Sequence, residues 1–361
     1  MIVAIILSSA LSVLVLVLAL LMPTLTRPTV PFGVRVPAQR VAEPAVARQT
    51  RSYRARVLVG GIAVAAVGVV SYGLTGETLL LPLTVLVLIG VWYGSFFLAH
   101  HEIQVAKVEG DWYEGVHQAV AVDTELRTDP PRFPWLWLAP PVVITLATVV
   151  IGIVLYPSMP AALAVHYGAK GVPNRLAAKS IGTAFSLVFV QIGVTALLAG
   201  IAAGISRSRA DIDPAHPVGS ARWHRRYMAL GAKALLGLVA MIDLGMLASS
   251  LLTWTGTVTA LAQLVVVIPI LLGVAIAIIV LARNNREPAD GAEQDTGLAH
   301  RDDDQHWRGG MFYINREDHA LLVPRRVGLG WTINFGNPRV AMLAAGVIAL
   351  IVLLITIRFT G

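Results

Sequence analysis

Three consecutive pieces of chain decide the fold: WLWLAPPVVITLATVVIGIVL (135–155), YPSMPAALAVHYGAKGVPNRLAAK (156–179) and SIGTAFSLVFVQIGVTALLAGIAAGI (180–205). The outer two hold no Asp, Glu, Lys or Arg, and each is long enough to cross a hydrocarbon layer that takes roughly 20 apolar residues. The middle piece, with three prolines and one histidine, is therefore a loop at a membrane face. Working outward, runs of the same kind occur at about 2–22, 57–75, 78–99, 135–156, 181–205, 227–252, 258–282 and 340–357. The chain is 56% hydrophobic and 14% charged, with a mean hydropathy of +0.71, which excludes a soluble domain. It has no cysteine, so disulfides, thiolate catalysis and cysteine-bound metal are excluded. The expected fold is an all-α integral membrane protein of about eight transmembrane helices, with a small β-containing cytoplasmic module near the C-terminus.

The formal charge of +7 is topological and calls for no nucleic acid partner. Arg27, Arg35, Arg40, Arg48, Arg51, Arg54 and Arg56 follow the first run and mark 23–56 as cytoplasmic. Alternating from there, 23–56, 100–134, 206–226 and 283–339 are inside, with seven, three, five and eight Lys or Arg. The outside segments hold only Lys170, Arg175, Lys179 and Arg358. The first run lacks a positive leader region and reads as a retained anchor, so both termini are expected outside a multi-pass protein of the cell membrane. The domain plan is a transmembrane region at 1–134, a second at 135–282 with an outer cap at 156–180, a polar linker at 283–305, a module at 306–339 and a last helix at 340–361.

In the outer cap, Pro157 and Pro160 end a helix, 161–166 is expected to form a short apolar turn on the membrane surface, and Gly168, Gly171 and Pro173 turn the chain back. No acid occurs between 156 and 180, so His166 has no local carboxylate, and neither a catalytic dyad nor a metal site can be built from this loop. The plain reading is an interfacial turn with its cations on membrane lipids; the sharper one is recognition of a peptide or an anionic ligand.

The series Tyr156-Pro157-x-x-Pro160, His166-Tyr167, Gly171-x-Pro173-Asn174 and Lys179 resembles a signature in a large bacterial family of membrane proteins of unknown function. That family includes an immunity protein against a sporulation-delaying toxin, which signals toxin presence by holding a repressor at the membrane. The resemblance covers about 25 residues; Gly168 and Asn174 stand where the family has asparagine and an acid. It implies a ligand site at Tyr156, Pro160, His166, Tyr167, Gly171, Asn174 and Lys179, a peptide toxin or anionic ligand outside, and a regulatory protein inside.

Near the C-terminus, HRDDDQH (300–306) reads as a solvated charge run, with a divalent-metal site at His300, Asp302, Asp303, Asp304 and His306 as the alternative. MFYI (311–314) and WTINF (331–335) are β-prone and separated by turn residues. The expected module has Trp307, Trp331 and Phe335 as its apolar side and arginines on anionic headgroups. Trp307, Tyr313, Asn315, Asp318, Arg326, Trp331 and Asn334 fit a pattern resembling a second short domain of unknown function. FGVRVP (32–37) is expected to add an edge strand to this module.

Within the helices, Asp243 is the ionisable group that cannot snorkel, whereas Lys233 can. Gln191 and Gln263 are further intramembrane amides. The plain reading is an interhelical tie; the alternative is a small-solute or proton-coupled transporter centred on Asp243. His100, His101 and Glu102 with Glu114 and His117 form the remaining metal candidate. No enzyme motif, catalytic residue, resident metal or cofactor is expected.

Overall fold

In the computed structural model, which describes residues 2–360 apart from 78, 168–172, 258–261 and 286–292, eight long helices account for most of the described chain. They are α1 (Ile2–Leu25), α2 (Pro44–Thr75), α3 (Leu80–Glu109), α4 (Trp135–Leu155), α5 (Ser186–Ile205), α6 (Pro217–Thr255), α7 (Ala262–Arg283) and α8 (Pro338–Thr360). Seven of them, α1 to α7, are long and apolar enough to cross a membrane, and this is a multi-pass membrane protein. The expected eighth run falls in α8, whose described apolar part is Pro338–Ala349.

Several helices outrun their apolar spans. α2 starts at Pro44, a residue suited to a first helical turn, and carries its arginines on helical turns before the apolar stretch begins. α6 starts at Pro217, ten residues ahead of the expected span, and ends where Gly256 takes a left-handed conformation at φ 66°. Its 39 residues make a rod of about 58 Å at 1.5 Å per residue.

The helices form two groups. α2 packs on α3 and α1 lies across both; α6 packs on α4, α5 and α7. α8 packs along α5 and reaches the single turn Ile181–Ala184. Small residues permit close approach, as lipid-embedded helices require: a Cβ at Gly245 of α6 would stand 2.6 Å from the Val266 carbonyl oxygen of α7.

The strands lie at the two ends of the bundle. At one end β2 (Ala162–Tyr167) and β3 (Pro173–Ala178) form an antiparallel hairpin. At the other, β1 (Gln118–Ala119) pairs in parallel with β4 (Ala299–His300), β5 (Trp307–Arg308) with β6 (Phe312–Tyr313), and β7 (Leu322–Pro324) with β8 (Trp331–Ile333). The expected surface turn at 161–166 is thus corrected to a strand. Leu163 is buried against Met159, Ala184, Val188 and Trp254 while Ala162 and His166 face outward, and backbone pairing with the second strand holds the chain extended.

The α1 start and the α8 end both lie at the hairpin's end of the bundle, because Ser8 bonds the Leu81 carbonyl at the far side of α3 and α8 climbs from Pro338 toward Ile181.

Candidate functional site

Three arrangements hold the singled-out residues: the hairpin, a polar cluster inside the helices, and a junction of charged loops at the opposite end.

The hairpin is rooted by its own signature residues. Lys179 donates to the carbonyls of Tyr156 at 3.3 Å and Met159 at 3.2 Å, and its ammonium lies 5.3 Å from the centre of the Tyr156 ring. Tyr156 stacks on Phe185, and Pro160 abuts Gly256. Lys179 is therefore a structural tie and not a cation projecting toward a ligand. Further out, His166 Nδ1 and Asn174 Oδ1 are 2.6 Å apart across the strands, both exposed, so the ring donates to the amide oxygen. Pairing slips on both sides of His166, an irregularity that re-aims a side chain. Tyr167 closes the paired part opposite Pro173; Gly171 lies outside the described residues.

The inner cluster joins three helices. Asp243 of α6 is fully buried, and the Thr195 hydroxyl of α5 donates to its two carboxylate oxygens at 2.9 and 3.2 Å. Gln191, one helical turn from Thr195, and Thr145 of α4 neighbour the same carboxylate. Both side-chain polar atoms of Gln191 and the Thr145 hydroxyl are buried without a hydrogen-bond partner. Gln263 is not part of the cluster's described residues: it is the second residue of α7, and its side chain lies outside them.

The junction gathers the four segments that charge counting assigned to one side. Arg27 and Arg35 reach Asp211 at 2.8 and 3.0 Å; Arg35 also reaches Asp303 at 2.8 Å. Lys107 pairs with Asp302 and Asp304, each at 2.7 Å, and Arg326 pairs with Asp303 and Asp304. Four cations face four carboxylates, with Arg35 3% and Arg326 1% exposed. Arg326 further donates to the Gly33 carbonyl and lies 4.9 Å from the Trp307 ring centre.

Burial alone would raise the Asp211 carboxyl, but Arg35 and Arg27 hold it well below the usual range. Burial is likewise outweighed at Asp303 by Arg35 and Arg326, and at Asp304 by Arg326 and Lys107, so both are lowered. His300 sits 3.8 Å from Asp211 and 3.7 Å from Asp213; burial, with Arg35 and Arg27 nearby, pushes it down to about 4 despite those carboxylates.

This network corrects several expectations. The Asp302–Asp304 run is not a solvated charge run, because its carboxylates are consumed by ion pairs. Arg326 does not face headgroups. FGVRVP adds no strand: Pro31–Gly33 is a tight turn with Phe32 at φ 48°, and the segment is held by Arg35 and by the approach of Gly33 to Gly310. His100 spends its Nδ1 on the Phe32 carbonyl at 2.8 Å. Among the described residues no group of three His, Asp or Glu is placed to hold a metal.

Behind the junction the module closes on itself. The Asn334 amide donates to the carbonyls of Asn315 and Asp318 and accepts from the Asn315 amide N–H; Arg209 donates to Tyr313 and Asp318. Trp331 lies on α6, stacked toward Tyr227 at 5.3 Å, over Gly231, where a Cβ would collide with its ring.

Two family models match the chain. Residues 143–192 match the Domain of unknown function (DUF1648), and residues 316–340 match the Family of unknown function (DUF5808). The first spans the hairpin with Thr145 and Gln191, the second the latter half of the module with Asp318, Arg326, Trp331 and Asn334. No curated protein and no solved structure matches the chain.

Sequence reasoning missed Lys107 and Asp211, and read Arg35 only as a marker of sidedness and His300 only as a metal candidate, because ion pairs between residues so far apart in the chain leave no local pattern. It had a usable signal for Thr195: with Gln191 it makes an i,i+4 polar pair on one face of an otherwise apolar helix.

Proposed function

We propose that this is a non-enzymatic membrane receptor of the immunity or signalling kind, set in the cell membrane with its junction in the cytoplasm. A peptide or anionic ligand is captured on the extracytoplasmic hairpin, and a regulatory protein reads the cytoplasmic module. One observation carries the reading: α6 touches both. At one end Trp254 donates to the Ala184 carbonyl beneath the hairpin, at 2.7 Å; toward the other, Gly231 and Tyr227 seat Trp331. A helix shift at either end is therefore felt at the other. The hairpin suits a peptide because, among the described residues, neither strand pairs with a third, and open strand edges accept an extended chain.

The test is photo-crosslinking from positions 166 and 174 in intact producer cells, with His166→Ala and Asn174→Ala as controls. The reading expects a discrete peptide adduct that weakens in the variants; protection and capture unchanged by both substitutions would refute it. A second reading, a small-solute or proton-coupled transporter, is favoured by the Asp243 cluster.

A further inference from the structure

The cluster around Asp243 sets a fully buried carboxylate beside several unpartnered polar atoms. Its carboxylate is fully buried, inside helices facing lipid; Thr195 donates to both of its oxygens, while Gln191 and Thr145 stand beside it short of full hydrogen-bond geometry. Among the described residues no cationic side chain pairs with it, and Lys233 is ten residues away, about 15 Å along the same helix. Beside it the Gln191 amide, 0% exposed, has neither its oxygen nor its nitrogen satisfied, and the Thr145 hydroxyl is in the same condition. Each buried orphan costs about 1–3 kcal/mol, and an isolated ionised carboxylate costs more. A folded membrane protein does not carry such a set for packing alone, since leucine would fill the space without penalty.

The donors define what fits. Asp243, Gln191, Thr145 and Thr195 offer carboxylate, amide and hydroxyl oxygens from three helices, all hard ligands, with no imidazole or sulfur to attract a transition metal. Divalent Ca2+ sites gather several carboxylates; a single one balances a single positive charge. With an ion against Asp243 and the Gln191 oxygen, the Gln191 NH2 is free to donate to the other carboxylate oxygen, which satisfies both of its orphaned atoms at once. Ser250, 1% exposed with an unpartnered hydroxyl, lies seven residues on, two turns toward the hairpin end on the same face of α6.

We propose that Asp243, Gln191, Thr145 and Thr195 form a binding site for one small monovalent cation, Na+, in the middle of the α4–α5–α6 bundle. It deepens the transport reading by naming the ion, and it stands even if nothing crosses the membrane, because the site also neutralises Asp243 in a receptor.

The experiment uses the full chain, purified and reconstituted in nanodiscs at pH 8, with NaCl replaced stepwise by choline chloride at constant ionic strength. Expected is a saturable rise in Tm with Na+, abolished in Asp243→Asn, and roughly tenfold weaker Na+ dependence in Gln191→Leu, the loss of about one ligand's worth of binding. Radioactive 22Na+ binding to the unaltered protein provides a readout that does not depend on any variant folding. Equal Tm in Na+ and choline together with no 22Na+ bound would overturn the site. So would a Na+ response retained in Asp243→Asn. A pH-dependent Tm that vanishes in Asp243→Asn without any Na+ effect would show a protonated carboxyl in place of an ion site, and would also overturn it. Na+ binding without Na+-driven uptake of any solute into vesicles would leave the site standing and remove the transport reading.

Discussion

The molecule buries carboxylates in two places and treats them in opposite ways. At the junction, Asp211, Asp302, Asp303 and Asp304 meet Arg27, Arg35, Lys107 and Arg326, charge for charge. In the bundle, Asp243 meets a threonine hydroxyl and orphaned amide atoms. The balanced set holds four distant segments on one face, a structural role; the unbalanced one is too costly to be structural and marks a site.

The sharpest way to break this comparison is to unbalance the junction. Arg326→Ala leaves Asp303 and Asp304 each one partner short and Trp307 uncovered; the expected loss is about 3–5 kcal/mol, read as a large fall in Tm and rapid proteolysis within 306–339. Asp243→Asn removes a charge with no ionic partner and is expected to leave Tm in choline unchanged or raised. Equal losses in the two variants would erase the distinction.

The next effect is a pH dependence confined to the junction. Asp211, Asp303 and Asp304 have lowered folded values, so their contribution is full above about pH 4 and is lost only as the pH falls through those values. His300 works in another window. Its folded value of about 4 lies below the unfolded value of about 6.5, so the unfolded chain takes up the proton first and stability declines as pH falls from about 6.5 to about 4. The expected contribution is on the order of 3 kcal/mol, measured by unfolding at stepped pH, and His300→Gln should remove that share while His224, likewise lowered to about 4 by burial, keeps its own.

A smaller effect tests the rod between the two ends. Gly231→Ala puts a methyl group into the Trp331 ring, and an overpacked contact costs about 1–3 kcal/mol. Trp fluorescence should report the displaced ring while α1 to α3 stay folded. Smallest is Lys179→Met, expected to cost about 1 kcal/mol by releasing two carbonyl bonds, and to loosen the hairpin without touching the junction.

What the sequence disclosed followed from the length scale of each cause. Hydrophobic runs of 20 residues and arginine bias are local; they located the seven long apolar helices and grouped 23–56, 100–134, 206–226 and 283–339, the segments that the ion pairs bring together. Turn and β-propensity signals located the module; of its expected apolar side Trp307 is in the core with Tyr313 and Val323, whereas Trp331 packs on α6 and Phe335 is exposed. The hairpin was misread as a turn because the small residues of PAALAV (160–165) have weak strand preference, and pairing with Pro173–Ala178 decides the matter. The acidic run at 302–304 was misread for a related reason: its partners Arg35, Lys107 and Arg326 are distant in sequence or unremarkable locally, and burial of charge is a tertiary event. Asp243 and Gln191 were recognised, since an acid or an amide in an apolar helix is conspicuous, whereas Thr145 acquires meaning only beside them.

The central claim is that hairpin and junction occupy opposite faces of one membrane, joined by α6. The chain has no cysteine, so single introduced thiols report cleanly. Asn174→Cys and Glu317→Cys, at exposed positions of the hairpin and the module, should be labelled differently by a membrane-impermeant maleimide. The account predicts labelling of the Asn174→Cys protein in intact cells and of the Glu317→Cys protein only after the membrane is opened. Labelling of both in intact cells, or the reverse pattern, would contradict it.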